Sequence, residues 1–252
     1  QSTAQSDYSI SAYGRYDSPT LAASLANIQL LGTYVTFEKH QEDVWGLELG
    51  GRLSNHSLYG NNLTYHVNPY LYLWPKGKLF ANYYSSFKAP SLYQLYSPYG
   101  NKDLKAEQGK TFEAGFEQNM GALYVRLVGF QQDVQDGIVF QSIAVEPYGR
   151  YANVSKQNTS GIELEARYTW KGFATELGYT YLDGKMHNVI NGKDSTYSSL
   201  IRRPKHQLSL RVNQQLTKRW SASAYAQYVG ERTDYYYDDA TYQTQSVILP
   251  GY

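Results

Sequence analysis

Three carboxylates close together in the sequence, Asp234, Asp238 and Asp239, enclose the run Tyr235-Tyr236-Tyr237 and supply the hard oxygen ligands that a Ca2+ ion takes. An acidic, tyrosine-rich stretch is equally the composition of a solvated binding surface. Little else along the chain could do metal or covalent chemistry. The histidines, His40, His56, His66, His187 and His206, are scattered and form no His-Glu-x-x-His pair, so each reads as a hydrogen-bonding side chain. No Gly-x-Ser-x-Gly presents a nucleophile and no Gly-x-x-x-x-Gly-Lys cradles a phosphate. The lack of cysteine removes thiolate ligands and disulfides together. Asn153-Val154-Ser155 and Asn158-Thr159-Ser160 are read as chance matches to a glycosylation pattern. What remains is recognition. Tyr outnumbers Phe by 27 to 8, and Tyr93, Tyr96, Tyr99, Tyr148, Tyr151, Tyr235, Tyr236, Tyr237 and Tyr242 gather in a few short segments. Tyr joins a large, fairly rigid contact area to a polar tip, which suits capture of a bulky, partly apolar ligand. Packing of loops on one another, or an aromatic girdle, would use the same residues.

The chain that must position these groups has 252 residues, 42% of them hydrophobic, and a formal net charge of +1. That balance gives no electrostatic steering toward nucleic acid. A helical membrane protein needs runs of about 20 apolar residues, and there are none. A transmembrane β-barrel needs no such run, because each strand shows lipid only every second residue, so a mean hydropathy of −0.56 is compatible with insertion. Gln1 is not a start methionine, and the chain is expected to be part of a longer one.

From Ile28 onward strand-like runs of about ten residues are joined alternately by short and long connections, the rhythm of an up-and-down membrane barrel. The short connections are 41–43, 74–77, 119–121, 171–172 and 217–219; the long ones are 54–62, 88–109, 133–150, 183–204 and 233–250. Before them, residues 7–15 read as one strand. Successive Cβ atoms point to opposite faces of a sheet, and the runs divide accordingly. Trp45, Leu47, Leu49 and Leu53 oppose Glu48 and Arg52; Ile162, Leu164, Ala166 and Tyr168 oppose Glu163, Glu165 and Arg167; Leu208, Leu210 and Val212 oppose Gln207, Ser209 and Arg211. Alternation alone fits a soluble β-sandwich equally well. Two features favour the membrane: the runs are near the 9 to 11 residues that cross a bilayer at a tilt, and Trp45, Trp74, Trp170 and Trp220 all lie beside short turns, as one interfacial belt would require.

The long connection at 88–109 carries a further signal. Phe87, Ala89, Pro90, Leu92, Leu95, Tyr96, Gly100, Asn101, Leu104 and Glu107 are spaced as Phe-x-Ala-Pro-x-Leu-x-x-Leu followed by Gly-Asn-x-x-Leu-x-x-Glu. This resembles the segment that TonB-dependent outer-membrane receptors carry in an extracellular loop. Ala106 stands where the family has Pro, which costs the loop some rigidity. The resemblance implies an all-β, antiparallel transmembrane barrel, of which residues 1–252 would be the C-terminal portion, ten to eleven strands of about 22, without the plug domain or the final strand. It implies the outer membrane of a Gram-negative bacterium and transport without covalent chemistry.

Within the family the run from Leu92 to Ser97 is most similar to the vitamin B12 receptors. The implied ligand is cobalamin or another corrinoid, the implied partners are membrane lipid, the TonB energy-coupling complex reached through the plug, and a surface lipoprotein, and no resident cofactor is implied. Ferric-siderophore receptors share the same motif and are the nearest alternative; a soluble β-rich adhesin or carbohydrate-binding module is the alternative from another class. The segment 233–250 has no basic residue, which argues against an anionic ligand there, whereas Arg202-Arg203 argues for one.

Overall fold

A computed structural model describes residues 8–11, 14–17, 27–143, 146–190, 193–198, 200–238 and 243–252. The expected strand at 7–15 is instead a small hairpin, β1 (Tyr8–Ser11) with β2 (Gly14–Asp17). One antiparallel sheet then contains β3 (Leu30–Gln41), β4 (Trp45–His56), β5 (Gly60–Trp74), β6 (Gly77–Lys88), β7 (Glu107–Met120), β8 (Leu123–Ser142), β9 (Gly149–Trp170), β10 (Phe173–Ile190), β12 (His206–Gln215) and β13 (Ser221–Val229) in sequential spatial order. β11 (Lys193–Ser198) takes the edge of β10 beyond the point where β12 leaves it, which makes the sheet 11-stranded. β14 (Arg232–Asp238) and β15 (Gln243–Leu249) form a separate hairpin. The strand number and antiparallel order agree with the expectation from periodicity.

The connections do not divide as the periodicity suggested. Among the described residues only 88–109 contains a long stretch outside strands: the turn between β4 and β5 is 57–59, β8 and β9 run to within a few residues of each other, 183–204 is largely taken up by the end of β10 and by β11, and 233–250 is largely the β14–β15 hairpin. β8 is 20 residues and β9 is 22, so these strands continue far past the 9 to 11 needed for the bilayer. A polar strand above the membrane has no apolar face to announce it, and its ladder hydrogen bonds form regardless. At the opposite end Lys171 and Gly172 both have positive φ, the sign a two-residue type I′ hairpin requires.

Register separates the two faces. Along five neighbouring strands, Leu79, Phe116, Leu127, Leu164 and Tyr179 share one rung and all point outward. Their neighbours in sequence point into the lumen, where polar groups find partners. Glu117 pairs with Lys78 and accepts a hydrogen bond from Tyr124 Oη (2.9 Å). Glu113 accepts from Asn82 Nδ2 (3.2 Å) and Tyr84 Oη (3.0 Å), and Glu48 accepts from Asn68 Nδ2 (3.0 Å). Tyr70, Phe80 and Phe130 lie across Gly46, Gly115 and Gly161 of adjacent strands, where a methyl group would collide with each ring. The rings therefore lie along the wall instead of filling the lumen. Among the described residues β3 and β13 each have one strand neighbour, while Tyr252 exchanges two backbone hydrogen bonds with Val229 at the tip of β13.

Candidate functional site

The segment between β6 and β7 is built around a short helix, α1 (Leu92–Tyr96). Ser91 begins it with a capping box: its Oγ accepts the Gln94 N–H (3.2 Å) and Gln94 Oε1 accepts the Ser91 N–H (2.9 Å). Pro90, just outside the helix, is fully buried, and Leu95 and Leu104 are buried as well. Gly100 packs so closely that a Cβ would lie 2.7 Å from the Leu95 carbonyl and 2.8 Å from Ser97 O, which excludes any side chain there. Asn101 binds in three directions: its N–H donates to Gln94 O (2.9 Å), its Oδ1 accepts the Asp103 N–H (3.0 Å), and its Nδ2 donates to Tyr151 O (3.1 Å).

The far end of the segment is clamped to the β8–β9 arm. Glu107 Oε1 accepts the Ile138 N–H (2.8 Å) while Oε2 binds Lys88 Nζ (3.1 Å). Asn153 Oδ1 accepts the Lys105 N–H (2.8 Å), and its Nδ2 donates to Lys105 O (3.0 Å) and Asp136 O (2.6 Å). Tyr59 Oη reaches Leu104 O (2.9 Å) from the β4–β5 turn; burial, and then the neighbouring Tyr96, raise the pKa of this phenol. Pro90, Leu95, Gly100, Asn101, Leu104 and Glu107 thus hold the segment to its neighbours and present other residues. Asn153, whose sequence suggested only a chance glycosylation match, is the clasp. Its partner Lys105 is 48 positions away, and no local pattern could have shown it.

The tyrosines fall into two groups. Tyr93 packs edge-on against Tyr151 (6.2 Å between centroids), Tyr151 against Phe140 (5.4 Å), and Phe140 against Tyr99 (5.6 Å), a continuous chain of four rings. Phe140 was not anticipated from the sequence, because it lies where a loop was expected. Tyr93 remains 56% exposed and Tyr148 69%, while Tyr96 is half-buried beneath Lys102 Nζ, 5.5 Å from its ring. The second group, Tyr235 and Tyr236, is exposed on β14. The side chain of Tyr237 and the whole of Asp239 lie outside the described residues. Among the described residues no ring contact joins the two groups.

Two of the three carboxylates expected as cation ligands, Asp234 and Asp238, have partners. Arg202 Nε donates to Asp234 Oδ1 (2.8 Å), which also accepts the Tyr235 N–H (2.8 Å), and these bonds, the guanidinium first, hold the Asp234 carboxyl below the usual aspartate range. Asp238 Oδ2 accepts from Gln245 Nε2 (2.8 Å). The absence of basic residues from 233–250 therefore does not make this region acidic: Arg202 lies on the hairpin and Arg232 rests 5.1 Å from the Tyr252 ring. His187 bonds Thr196 (3.0 Å) and His206 bonds Tyr179 (2.9 Å). Among the described residues no group of three His, Asp or Glu side chains could hold a metal.

The sheet, its two-faced register and the clamped segment above it are the features of a membrane barrel with a built outer end. The model of the family described as TonB dependent receptor-like, beta-barrel matches residues 1–252. The chain belongs to that family. Members are transporters of the Gram-negative outer membrane and not enzymes, and this barrel lies in that membrane. Solved structures share the fold at low identity. The siderophore receptor PirA from Acinetobacter baumannii matches at a TM-score of 0.70 and 17% identity, over 91% of this chain and 40% of its own. A mutant of the ferric enterobactin receptor PfeA from Pseudomonas aeruginosa matches at 0.69 and 21%, over 89% and 36%. The ferripyoverdine receptor of the Pseudomonas aeruginosa outer membrane matches at 0.69 and 20%, over 89% and 31%. The chain thus spans two fifths or less of the length of these relatives.

Proposed function

We propose that this barrel is part of a TonB-energised receptor that carries a bulky, scarce nutrient across the outer membrane, and that the nutrient is an anionic metal chelate of the ferric-siderophore class. A preceding plug domain and further strands that close the barrel belong to the same proposal. The observation that carries the choice of ligand is Arg202 at the β14–β15 hairpin: its Nε is held by Asp234, but its side chain is 73% exposed near exposed Tyr235 and Tyr236, and a planar cation with aromatic area suits an anionic chelate. Solved structures of similar fold include a siderophore receptor, a ferric enterobactin receptor and a ferripyoverdine receptor, which supports the same choice. Because Asp234 is engaged by Arg202, a Ca2+ ion at this hairpin is not part of the reading.

Corrinoid uptake is the second reading. It is favoured by the flat area of the chain Tyr93–Tyr151–Phe140–Tyr99, which would face a broad, mostly apolar ring. Calorimetry on the intact receptor in detergent separates the two. Binding of a ferric catecholate at micromolar concentration, weakened about tenfold by Arg202→Gln or by joint replacement of Tyr235, Tyr236 and Tyr237 with Ala, is the expected result. Binding of cyanocobalamin with no heat from ferric siderophores would overturn it in favour of the corrinoid.

A further inference from the structure

The lumen face of the sheet is acidic on one side and uncharged on the other at the same height. On β3, β4 and β7 the residues Glu38, Glu48 and Glu113 point into the lumen on one rung, with Asn68 and Asn82 on the two strands between the last pair. Among the described residues none of these carboxylates has a lysine or arginine partner. Glu48 meets Asn68 and His66 Nε2 (2.8 Å), Glu38 lies 3.7 Å from His40 Nδ1, and Glu113 is held by the neutral donors of Asn82 and Tyr84.

The same rung continues across β8, β9 and β10, where it becomes Phe130, Gly161 and Leu182. The lumen rung above it there is Gln132, Thr159 and Gly184. This strip offers an amide, a hydroxyl and a ring laid along the wall over Gly161, with no charge. Glu163, on the rung below, is the first carboxylate met on it. Toward the Lys171 turn guanidiniums follow: Arg126 stands opposite Glu165, and on the next lumen rung Arg167 and Arg211 flank Glu176. Because the two sides lie at equal depth, an anion inside the barrel meets repulsion along β3 to β7 and none along β8 to β10.

We infer that the anionic nutrient crosses this part of the barrel along the lumen wall of β8, β9 and β10, and that the carboxylate wall of β3 to β7 keeps it off the rest of the sheet. This rests on the anionic-chelate reading above and deepens it by assigning a lane within the lumen. Passage requires no tight contact, only a surface that neither repels the ligand nor holds it, and the uncharged strip is such a surface. The paired arginines below it offset the carboxylates that would otherwise close the lane.

The test uses the intact receptor in its own membrane, with a ferric catecholate carrying radioactive iron as the probe, and measures binding and uptake separately. In physiological salt one added carboxylate about 8 Å from a trianion slows it about threefold, so Gln132→Glu and Leu182→Glu together should cut uptake roughly tenfold. Binding should stay within about twofold of the native value. Leu182→Gln, equal in size and neutral, and Thr36→Glu, which adds a carboxylate to the acidic wall on β3, should leave uptake unchanged. Either single acidic variant carries the test, at about threefold, if the double variant folds poorly. Native uptake in the double variant, or an equal loss in Leu182→Gln or in Thr36→Glu, would each overturn the lane while binding persists. Failure of the native receptor to bind the chelate at all would instead overturn the ligand reading, and the lane with it.

Discussion

Replacing Glu107 with Ala should loosen the outer end of this barrel while leaving its membrane part intact. The carboxylate is largely buried, with 17% of its side chain exposed, and bridges three strands: it stands at the start of β7, binds Lys88 at the end of β6, and accepts the Ile138 N–H from β8. The two contacts differ in weight. Lys88 is 64% exposed, so water screens that ion pair to well under about 1 kcal/mol. The Ile138 N–H has a charged acceptor, and removing it costs about 1.5 to 3 kcal/mol. The sum, about 2 to 3 kcal/mol, corresponds to opening the clamp roughly 30- to 150-fold more often. Hydrogen exchange on the receptor in detergent should show that acceleration at Ile138, and at Asn101 and Lys105, which the same arm holds through Tyr151 and Asn153. Amides at the level of Leu177 should be unaffected. Glu107→Gln keeps an acceptor for the Ile138 N–H and should lose only about 1 kcal/mol. Unchanged exchange at Ile138 in the Ala variant, or equal acceleration throughout β7 to β10, would refute the clamp.

Leu210 points outward between Leu177 and Ala226, so Leu210→Arg should cost about 2 to 4 kcal/mol near the midplane, while Arg211→Leu loses a lumen contact with Tyr225 worth about 1 kcal/mol. Urea titrations in lipid vesicles measure both, and equal costs would reverse the facing. Because the Asp234 carboxyl titrates below its unfolded value of about 3.9, its contribution to docking the hairpin is full above that pH and lost only as pH falls through the lower folded value. Exchange at Tyr235 and Tyr236 should be flat, after correction for intrinsic rates, from pH 8 to about 5, and Asp234→Asn should remove the acid-induced rise. Tyr59→Phe deletes the bond to Leu104 O and should cost about 0.5 to 1.5 kcal/mol. Since this phenol titrates above its ordinary value of about 10, the bond should persist through neutral and mildly alkaline pH and fail only above it, which a pH series of Leu104 exchange would show.

What the sequence determined by itself was whatever is written at short range. Alternation at period two settled which side chains of β4, β9 and β12 face outward, because a strand has no choice but to alternate. The positive-φ positions Asp43, Lys76, Lys171 and Gly172 fell in stretches already recognisable as turns. The spaced motif from Phe87 to Glu107 identified the family, since its geometry depends on close packing at Pro90 and Gly100 that few residues satisfy. The tertiary structure alone decided the rest. β8 and β9 run on above the membrane because two polar strands can pair without an apolar face, and hydropathy is silent about such pairing. Glu107, which sequence could place only inside a motif, became a clamp when β8 brought the Ile138 N–H within 2.8 Å. The region 233–250 looked acidic until the backbone bond from the Arg202 N–H to Thr233 O, 2.8 Å long, carried a guanidinium onto it. Ion pairs and ring contacts between residues 30 or more positions apart depend on where strands lie beside one another. Strand register, the cumulative result of every turn before it, sets that, and no local stretch of sequence contains it.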